Sequence, residues 1–398
     1  MGALSGVRVL DLTNVLSGPF CTLHLALLGA EVVKIENPKA GDLARVLGNV
    51  PKHNKMLMGT SFLAQNANKK SLTLNLKAPE GKEVLRKLVA KADVVVENFR
   101  PDVMPRLGLG YPVLASINPK IVYCGISGFG QTGPDAEKPA YDQIIQGLSG
   151  VMDVNGDERL HPLRAGFPVC DTVGGLNAAF AILAALYHRE KTGEGQMIDV
   201  ALLDSIMPLM GWVAANLLIG GQAPVPMGND NFTAAPSGSF ATEDGHVNIA
   251  ANKQEQWEAL TEVLGVAHLK ADPRFEQRDE RKKNRKALTP LLEEKLRQKP
   301  TAFWVEALNA RDVPSGDILS LGCALTQAQV AHRQALQTVR VDDEIGEVKL
   351  FGLTARFSKT PGQITSPPPR LGAHTEEILT GLGYAKADVA ALREKGVV

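Results

Sequence analysis

Short apolar runs separated by amphipathic stretches mark the first third of the chain as alternating strands and helices. Val7-Arg8-Val9-Leu10-Asp11-Leu12 predicts a strand, Leu16-Ser17-Gly18-Pro19 a turn, and the apolar residues up to Leu28 a helix that Gly29 ends. A second strand at 31–36 completes a βαβ unit. Residues 46–60, with Pro51, Gly59 and many polar groups, read as a mobile loop, and 65–76 as a loop leading into a strand. Lys69 and Lys70 on that loop suggest a solvated face. A helix is predicted over 79–92. The run Asp93-Val94-Val95-Val96-Glu97-Asn98-Phe99 is apolar without alternation, as in a parallel strand covered on both faces, and 121–127 predicts another strand.

The pattern then changes to a long helical period. Val173, Leu176, Phe180, Leu183 and Tyr187 define one face and Ala179, Ile182 and Leu186 the next, which predicts a helix buried nearly all round. His188, Arg189 and Lys191 close it with positive charge and Gly193 stops it. Upstream, Pro162, Gly166 and Pro168 forbid a helix, so Asp171 falls where an N-cap belongs. Two compatible roles follow: a plain cap, or a carboxylate nucleophile kept ionised by the helix dipole and free N–H groups. Residues 192–205 predict a turn, a strand and a helix start, in which Asp199 and Asp204 are structural. The apolar run 200–219 contains Asp204, Ser205, Pro208, Gly211 and Asn216, costly in hydrocarbon, and so reads as a core segment. Residues 220–238, rich in Gly, Pro and Asn, read as a connection, 245–251 as a strand, and 254–309 as charged helical segments whose basic run 278–285 forms a solvated face.

With 398 residues the chain predicts two or three domains. Lys+Arg and Asp+Glu both number 43, so the net charge is zero and no field for nucleic acid or an anionic membrane is implied. Cys21, Cys124, Cys170 and Cys323 form no CxxC pair, and no export signal precedes them, so they read as buried thiols of a cytoplasmic protein. Cys170 adjoins Asp171, but no His–Asn pattern supports a cysteine nucleophile. Gly128-Phe129-Gly130-Gln131-Thr132-Gly133 satisfies G-x-G-x-x-G after a strand. The apolar helix a dinucleotide site needs does not follow, because Pro134, Asp135, Glu137, Lys138 and Pro139 come next. Asn98 and Arg100 stand at the carboxyl end of a parallel strand, the edge where open α/β sheets bind ligands, and their side chains can hold amide and phosphate groups.

Several segments carry a family resemblance. Lys34-Ile35-Glu36-Asn37-Pro38 with Gly41, Asp42 and Arg45, then Asn66 to Ser71, then Glu97-Asn98-Phe99-Arg100-Pro101, then Gly128 to Pro134 leading to Tyr141-Asp142, resemble successive motifs of class III CoA-transferases. This is the family of formyl-CoA transferase and related acyl-CoA racemases. Thr192 to Ser205 resembles its T-G-x-G-Q-x-V-D-V-S-L-x-D-S segment, and Val313-Pro314-Ser315-Gly316 and Leu371-Gly372-Ala373-His374-Thr375 resemble later elements. The resemblance implies an α/β fold: a Rossmann-like parallel-sheet domain binding CoA, residues 1–224 with 331–398, and a smaller inserted α+β domain, 225–330, in an interlocked homodimer. It implies Asp171 as the catalytic residue, Leu16, Ser17, Tyr141 and Asp142 lining the active site, and Lys34, Arg45, Leu74, Asn98, Phe99, Arg100 and Arg106 as CoA contacts. Arg164, shortly before Asp171, is read either as the partner of a dicarboxylate substrate or as a surface arginine.

The activity so implied is transfer of CoA from an acyl-CoA to a small carboxylic acid, with the CoA thioester as substrate and no permanently bound cofactor or metal. Backbone N–H groups near Gly174 and Gly175, or after Gly228, are expected to stabilise oxyanions. Two alternatives stand beside it. A racemase of the same family needs an acid–base pair, and Pro139-Ala140-Tyr141-Asp142 lacks the histidine of the racemases' G-H-D-I-N-Y motif. A CoA-binding protein without catalysis would have no need of a carboxylate at Asp171.

Overall fold

The computed structural model describes residues 2–398. The chain divides into two compact units. One comprises the chain up to Met152 with Arg164–Ala223 and Ala331–Val398, and the other comprises Asp153–Leu163 and Pro224–Val330. The second thus takes in Asp153–Leu163, a stretch the sequence reading leaves in the first.

The first unit is built on β1 (Arg8–Asp11), β2 (Glu31–Glu36), β3 (Lys69–Thr73), β4 (Val94–Glu97), β5 (Val122–Ser127) and β6 (Gln196–Ala201). They form a six-stranded parallel sheet in the order β3-β2-β1-β4-β5-β6. The non-alternating valine runs have a direct explanation. Val9, Val94 and Val96 enter a core with Cys21, Leu25, Ala178 and Ile182 on one face, and Leu10 and Val95 enter a core with Leu85, Leu88, Leu379 and Leu392 on the other. Because all six strands run the same way, their carboxyl ends and the loops that follow gather at one edge. The carboxy-terminal residues rejoin this unit through the ribbon β10 (Leu336–Asp342) and β11 (Gly346–Phe351) and the helix Thr375–Gly381.

Several expectations need correction. Residues 46–60 are not an open loop: they hold a helix, Pro51–Lys55, tied down by Asn54 Nδ2 to the Gly48 carbonyl at 2.9 Å and the Gly59 N–H to the Arg45 carbonyl at 2.8 Å. Lys69 is enclosed rather than solvated, 3.0 Å from Asp11. Cys21, Cys124 and Cys170 are buried but Cys323 is exposed.

The long helix, Val169–Thr192, buries Gly174, Gly175, Ala178, Ala179, Ile182, Ala185 and Leu186 but is not buried all round. Phe180 is 72% and Tyr187 65% exposed, and on the helix Trp212–Gly220, expected to be core, Leu218 is 82% and Ile219 88% exposed. With a mean hydropathy of 1.7 over its most apolar stretch, the long helix could cross a membrane by length and composition, as could the bent pair Leu202–Met210 with Trp212–Gly220. The small residues on its inner face are what let it pack against the first helix, Ser17–Leu27, and against β5 and β6.

The second unit pairs β7 (Ser237–Ala241), β8 (His246–Ala250) and β9 (Ser315–Asp317) antiparallel, with Trp257, Leu260, Leu292 and Trp304 in its core. Its basic run is not wholly solvated. Arg281 is buried, donating to the carbonyls of Ala235, Phe275 and Glu276 at 2.8–3.0 Å.

Candidate active site

Strand order reverses between β1 and β4, and the loops leaving these two strands are tied together. Asn98 Oδ1 accepts the Asn14 N–H at 2.8 Å, and its Nδ2 donates to the Asn14 carbonyl at 2.8 Å and to Ser17 Oγ at 3.4 Å. Beside it Val15 has a φ of 67°, a left-handed conformation that a β-branched residue adopts only under constraint. The constraint is Asp42, whose Oδ1 accepts the Val15 N–H at 2.9 Å while its Oδ2 pairs with Lys34 at 2.8 Å. This loop delivers Leu16 and Ser17 to the start of the first helix. The N–H groups of Ser17 and Gly18 have no acceptor among the described residues.

That helix start lies beside the long helix. A Cβ on Gly175 would overlap the Ser17 carbonyl oxygen, so glycine is what permits the approach. Gly175 is four residues after Asp171, on the same face of the helix, so Ser17 comes within about one turn of the Asp171 carboxylate.

Asp171 itself is not the N-cap. It is the third residue of the helix, and the capping is done by Asp142, whose Oδ1 accepts the N–H of Cys170 at 2.8 Å and of Asp171 at 3.4 Å. The other two leading N–H groups are used as well, Val169 on the Phe167 carbonyl at 2.9 Å and Thr172 on the Pro168 carbonyl at 3.2 Å. No N–H group of the helix N-terminus is therefore left to donate to the Asp171 carboxylate, against the sequence expectation. Burial, and secondarily the charge of Asp142, push the Asp171 carboxyl up to about 7. Gly174 and Gly175 are also corrected as oxyanion donors: both lie inside the helix, where their N–H groups serve the backbone ladder. Burial pushes the neighbouring Cys170 thiol up to about 12, so Asp171 is the nucleophile-capable group of this helix end.

The remaining candidates divide into those that reach the surface and those that do not. Lys34, Arg45 and Leu74 are enclosed, which corrects their assignment as direct CoA contacts. Lys34 also donates to the Thr13 carbonyl at 2.8 Å. Arg45 makes a bidentate pair with Glu36 at 2.6 and 2.8 Å and lies over the Phe62 ring at 3.7 Å, and Leu74 belongs to the core beneath the sheet. They set the shape of the edge without facing it. Asn98 is likewise occupied by the loop it ties. Phe99 is half-buried, its N–H held by Glu97 Oε2 at 2.8 Å, while Arg100 is exposed and Arg106 is exposed and paired with Asp102 at 2.9 Å. Tyr141 is exposed beside buried Asp142. Arg164 is exposed, with Nε on the Ala165 carbonyl at 3.1 Å and no ion pair among the described residues.

Three contributors were not among the site candidates read from the sequence, although Asp42 and Glu97 stand in the motifs quoted there. Gln146, four residues after Asp142 on the helix Asp142–Leu148, was discoverable from its i,i+4 spacing. Asp42 acts through backbone strain that no pattern announces. Glu97, whose carboxyl burial pushes up to about 7, bridges Phe99 to the Tyr123 hydroxyl at 3.1 Å across two strands.

The profile of CoA-transferase family III matches residues 4–375. The chain is 37% identical over 399 residues to succinyl-CoA:glutarate CoA-transferase of Mus musculus, covering 100% of this chain and 91% of that protein. It is 40% identical over 341 residues to acetyl-CoA:oxalate CoA-transferase of Acetobacter aceti, covering 84% and 85%. A solved CAIB/BAIF family protein from Brucella suis matches with a TM-score of 0.84 at 35% identity, over 96% of this chain and 99% of that one.

Proposed function

This chain belongs to CoA-transferase family III and is an enzyme of the transferase type, and from that premise we propose that it moves CoA from an acyl-CoA donor to a small dicarboxylic acid through a covalent intermediate on Asp171. The observation that carries the reading is the Asp171 carboxylate, half-buried beside Asp142 on a helix whose Gly175, one turn further on, packs against the Ser17 carbonyl at the start of the first helix.

The chemistry follows from that arrangement. An Asp171 oxygen attacks the thioester carbonyl, the C–S bond breaks, and a mixed anhydride and CoA thiolate result. The thiolate attacks the aspartyl carbonyl, the anhydride C–O bond breaks, and the donor leaves as its carboxylate. The acceptor carboxylate then expels thiolate from the aspartyl thioester to give a second anhydride. Thiolate attack on the acceptor's carbonyl releases the new acyl-CoA and restores Asp171. Each step exchanges one anion for another, so no proton need be moved. A held carboxylate gains the advantage of proximity that free acids lack. The Ser17 and Gly18 N–H groups are the donors we assign to the tetrahedral oxyanions, in place of Gly174 and Gly175.

The acceptor class rests on two supports. The relatives are named for glutarate and oxalate as acids, and Arg164 offers an exposed guanidinium upstream of Asp171 for a distal carboxylate. Arg164→Ala is expected to raise KM for a dicarboxylate about tenfold and leave a monocarboxylate unaffected; equal effects on both defeat the assignment. We further propose that the exposed apolar faces of Val169–Thr192 and Trp212–Gly220 are covered by a second copy, in the interlocked homodimer the resemblance implies. The test of the transfer reading is Asp171→Ala, which should lose transfer while still binding CoA; substantial residual transfer contradicts it.

A further inference from the structure

Gln146 lies one helical turn after Asp142, and its side chain is fully buried. Its amide is engaged on three sides. Nε2 donates to Asp142 Oδ2 at 2.6 Å and to the Phe167 carbonyl at 3.2 Å, and Oε1 accepts the Ala165 N–H at 2.9 Å. The partners fix which end is which, since a carboxylate and a carbonyl only accept and an N–H only donates. The other oxygen of Asp142 holds the N–H groups of Cys170 and Asp171. One amide thus tethers both the extended segment entering the long helix and the carboxylate that caps it.

We propose that Gln146 is a positioning residue for the transfer reaction: by orienting Asp142 and pinning residues 165–167 it fixes where the Asp171 carboxylate stands relative to the bound thioester. The inference rests on Asp171 being the nucleophile. Nothing about Gln146 bears on CoA binding directly, because its side chain has no exposed surface. Its removal therefore acts on the chemical step and leaves the binding step alone, which a general loss of packing would not do.

Gln146→Glu keeps the size but sets oxygen against the Asp142 carboxylate and the Phe167 carbonyl, and Gln146→Met keeps the volume and removes every hydrogen bond. Both are compared with the parent in kcat, KM for acyl-CoA, rate of hydroxylamine trapping at Asp171 with donor alone, and thermal midpoint, with sites counted by CoA binding. Should either variant yield no CoA-binding protein, Gln146→Asn, which withdraws the amide by one methylene, supplies the same comparison. The expected result is KM within about twofold and both kcat per site and trapping rate lowered about 10- to 100-fold. Turnover per site within twofold of the parent overturns the proposal, whatever the thermal midpoint, and so does a rise in KM alone. A parent hydroxamate on a residue other than Asp171 overturns the nucleophile assignment itself, and is a different result from unchanged turnover.

Discussion

At the scale of single residues, the decisive property is the proton on Asp171. Burial and Asp142 raise its carboxyl from 3.8 to about 7, and the adjacent Cys170 thiol, pushed up to about 12, stays neutral throughout this range. A more basic carboxylate is a better nucleophile, but only its ionised fraction attacks. The value of kcat/KM for acyl-CoA, a property of the free enzyme, is therefore expected to fall about tenfold per pH unit below about 7; a pH profile flat from 5 to 7 contradicts this, and the measurement is initial rate against pH. Stability carries the opposite sign from an ordinary salt-bridged carboxylate. Between 3.8 and about 7 the folded chain holds a proton that the unfolded chain has lost, so stability falls as pH rises through that window and the penalty is complete above it. Asp171→Asn removes the penalty. It should exceed the parent's stability by about 2–4 kcal/mol near pH 8, with no difference near pH 3, as read by urea unfolding.

At the scale of elements, two opposed effects meet at Gly175. Alanine in a helix interior is worth about 1 kcal/mol over glycine, but the added Cβ would overlap a backbone carbonyl, Ser17, which has no rotamer to escape into. Overpacking against backbone typically costs about 1–3 kcal/mol, so Gly175→Ala is expected to destabilise on balance and to lower kcat by displacing the first helix from Asp171, checked by thermal unfolding beside steady-state kinetics. Beneath the same edge, Asp11 is held well below the usual carboxylate range: burial opposes its charge, but Lys34 and Lys69 overcome it. Lys69→Met leaves Asp11 short of its 3.0 Å partner and is expected to cost about 3–5 kcal/mol in a urea titration.

These elements also mark the limit of what was legible in the chain. The strands of the sheet were readable because a doubly covered parallel strand needs an unbroken apolar run, and Val94-Val95-Val96 supplies one. The position of the long helix was readable from period and from Gly193. Its cap was not, because Asp142 reaches it from 28 residues away in sequence. Lys34, Arg45 and Lys69 looked like ligands or solvated charges because spacing reveals a residue's type and not whether a carboxylate waits opposite it in the core.

At the scale of the whole molecule, the exposed Phe180, Tyr187, Leu218 and Ile219 are the main departure from a sequence that predicted core at these positions. Period alone identifies an apolar face and is silent on whether the same chain or another covers it. If a second copy does, Phe180→Glu should weaken the dimer at least tenfold in sedimentation equilibrium; a parent that sediments as a monomer at micromolar concentration contradicts the dimer. The transfer mechanism turns on whether an oxygen of the Asp171 carboxylate is exchanged during turnover. With an oxygen-18-labelled acceptor acid, each transfer leaves one acceptor oxygen on the nucleophile, so peptide mass spectrometry after turnover should find the label on Asp171, dependent on both substrates. No label on the enzyme, as in direct attack of acceptor on donor, or label confined to Asp142, Asp199 or Asp204, would contradict it.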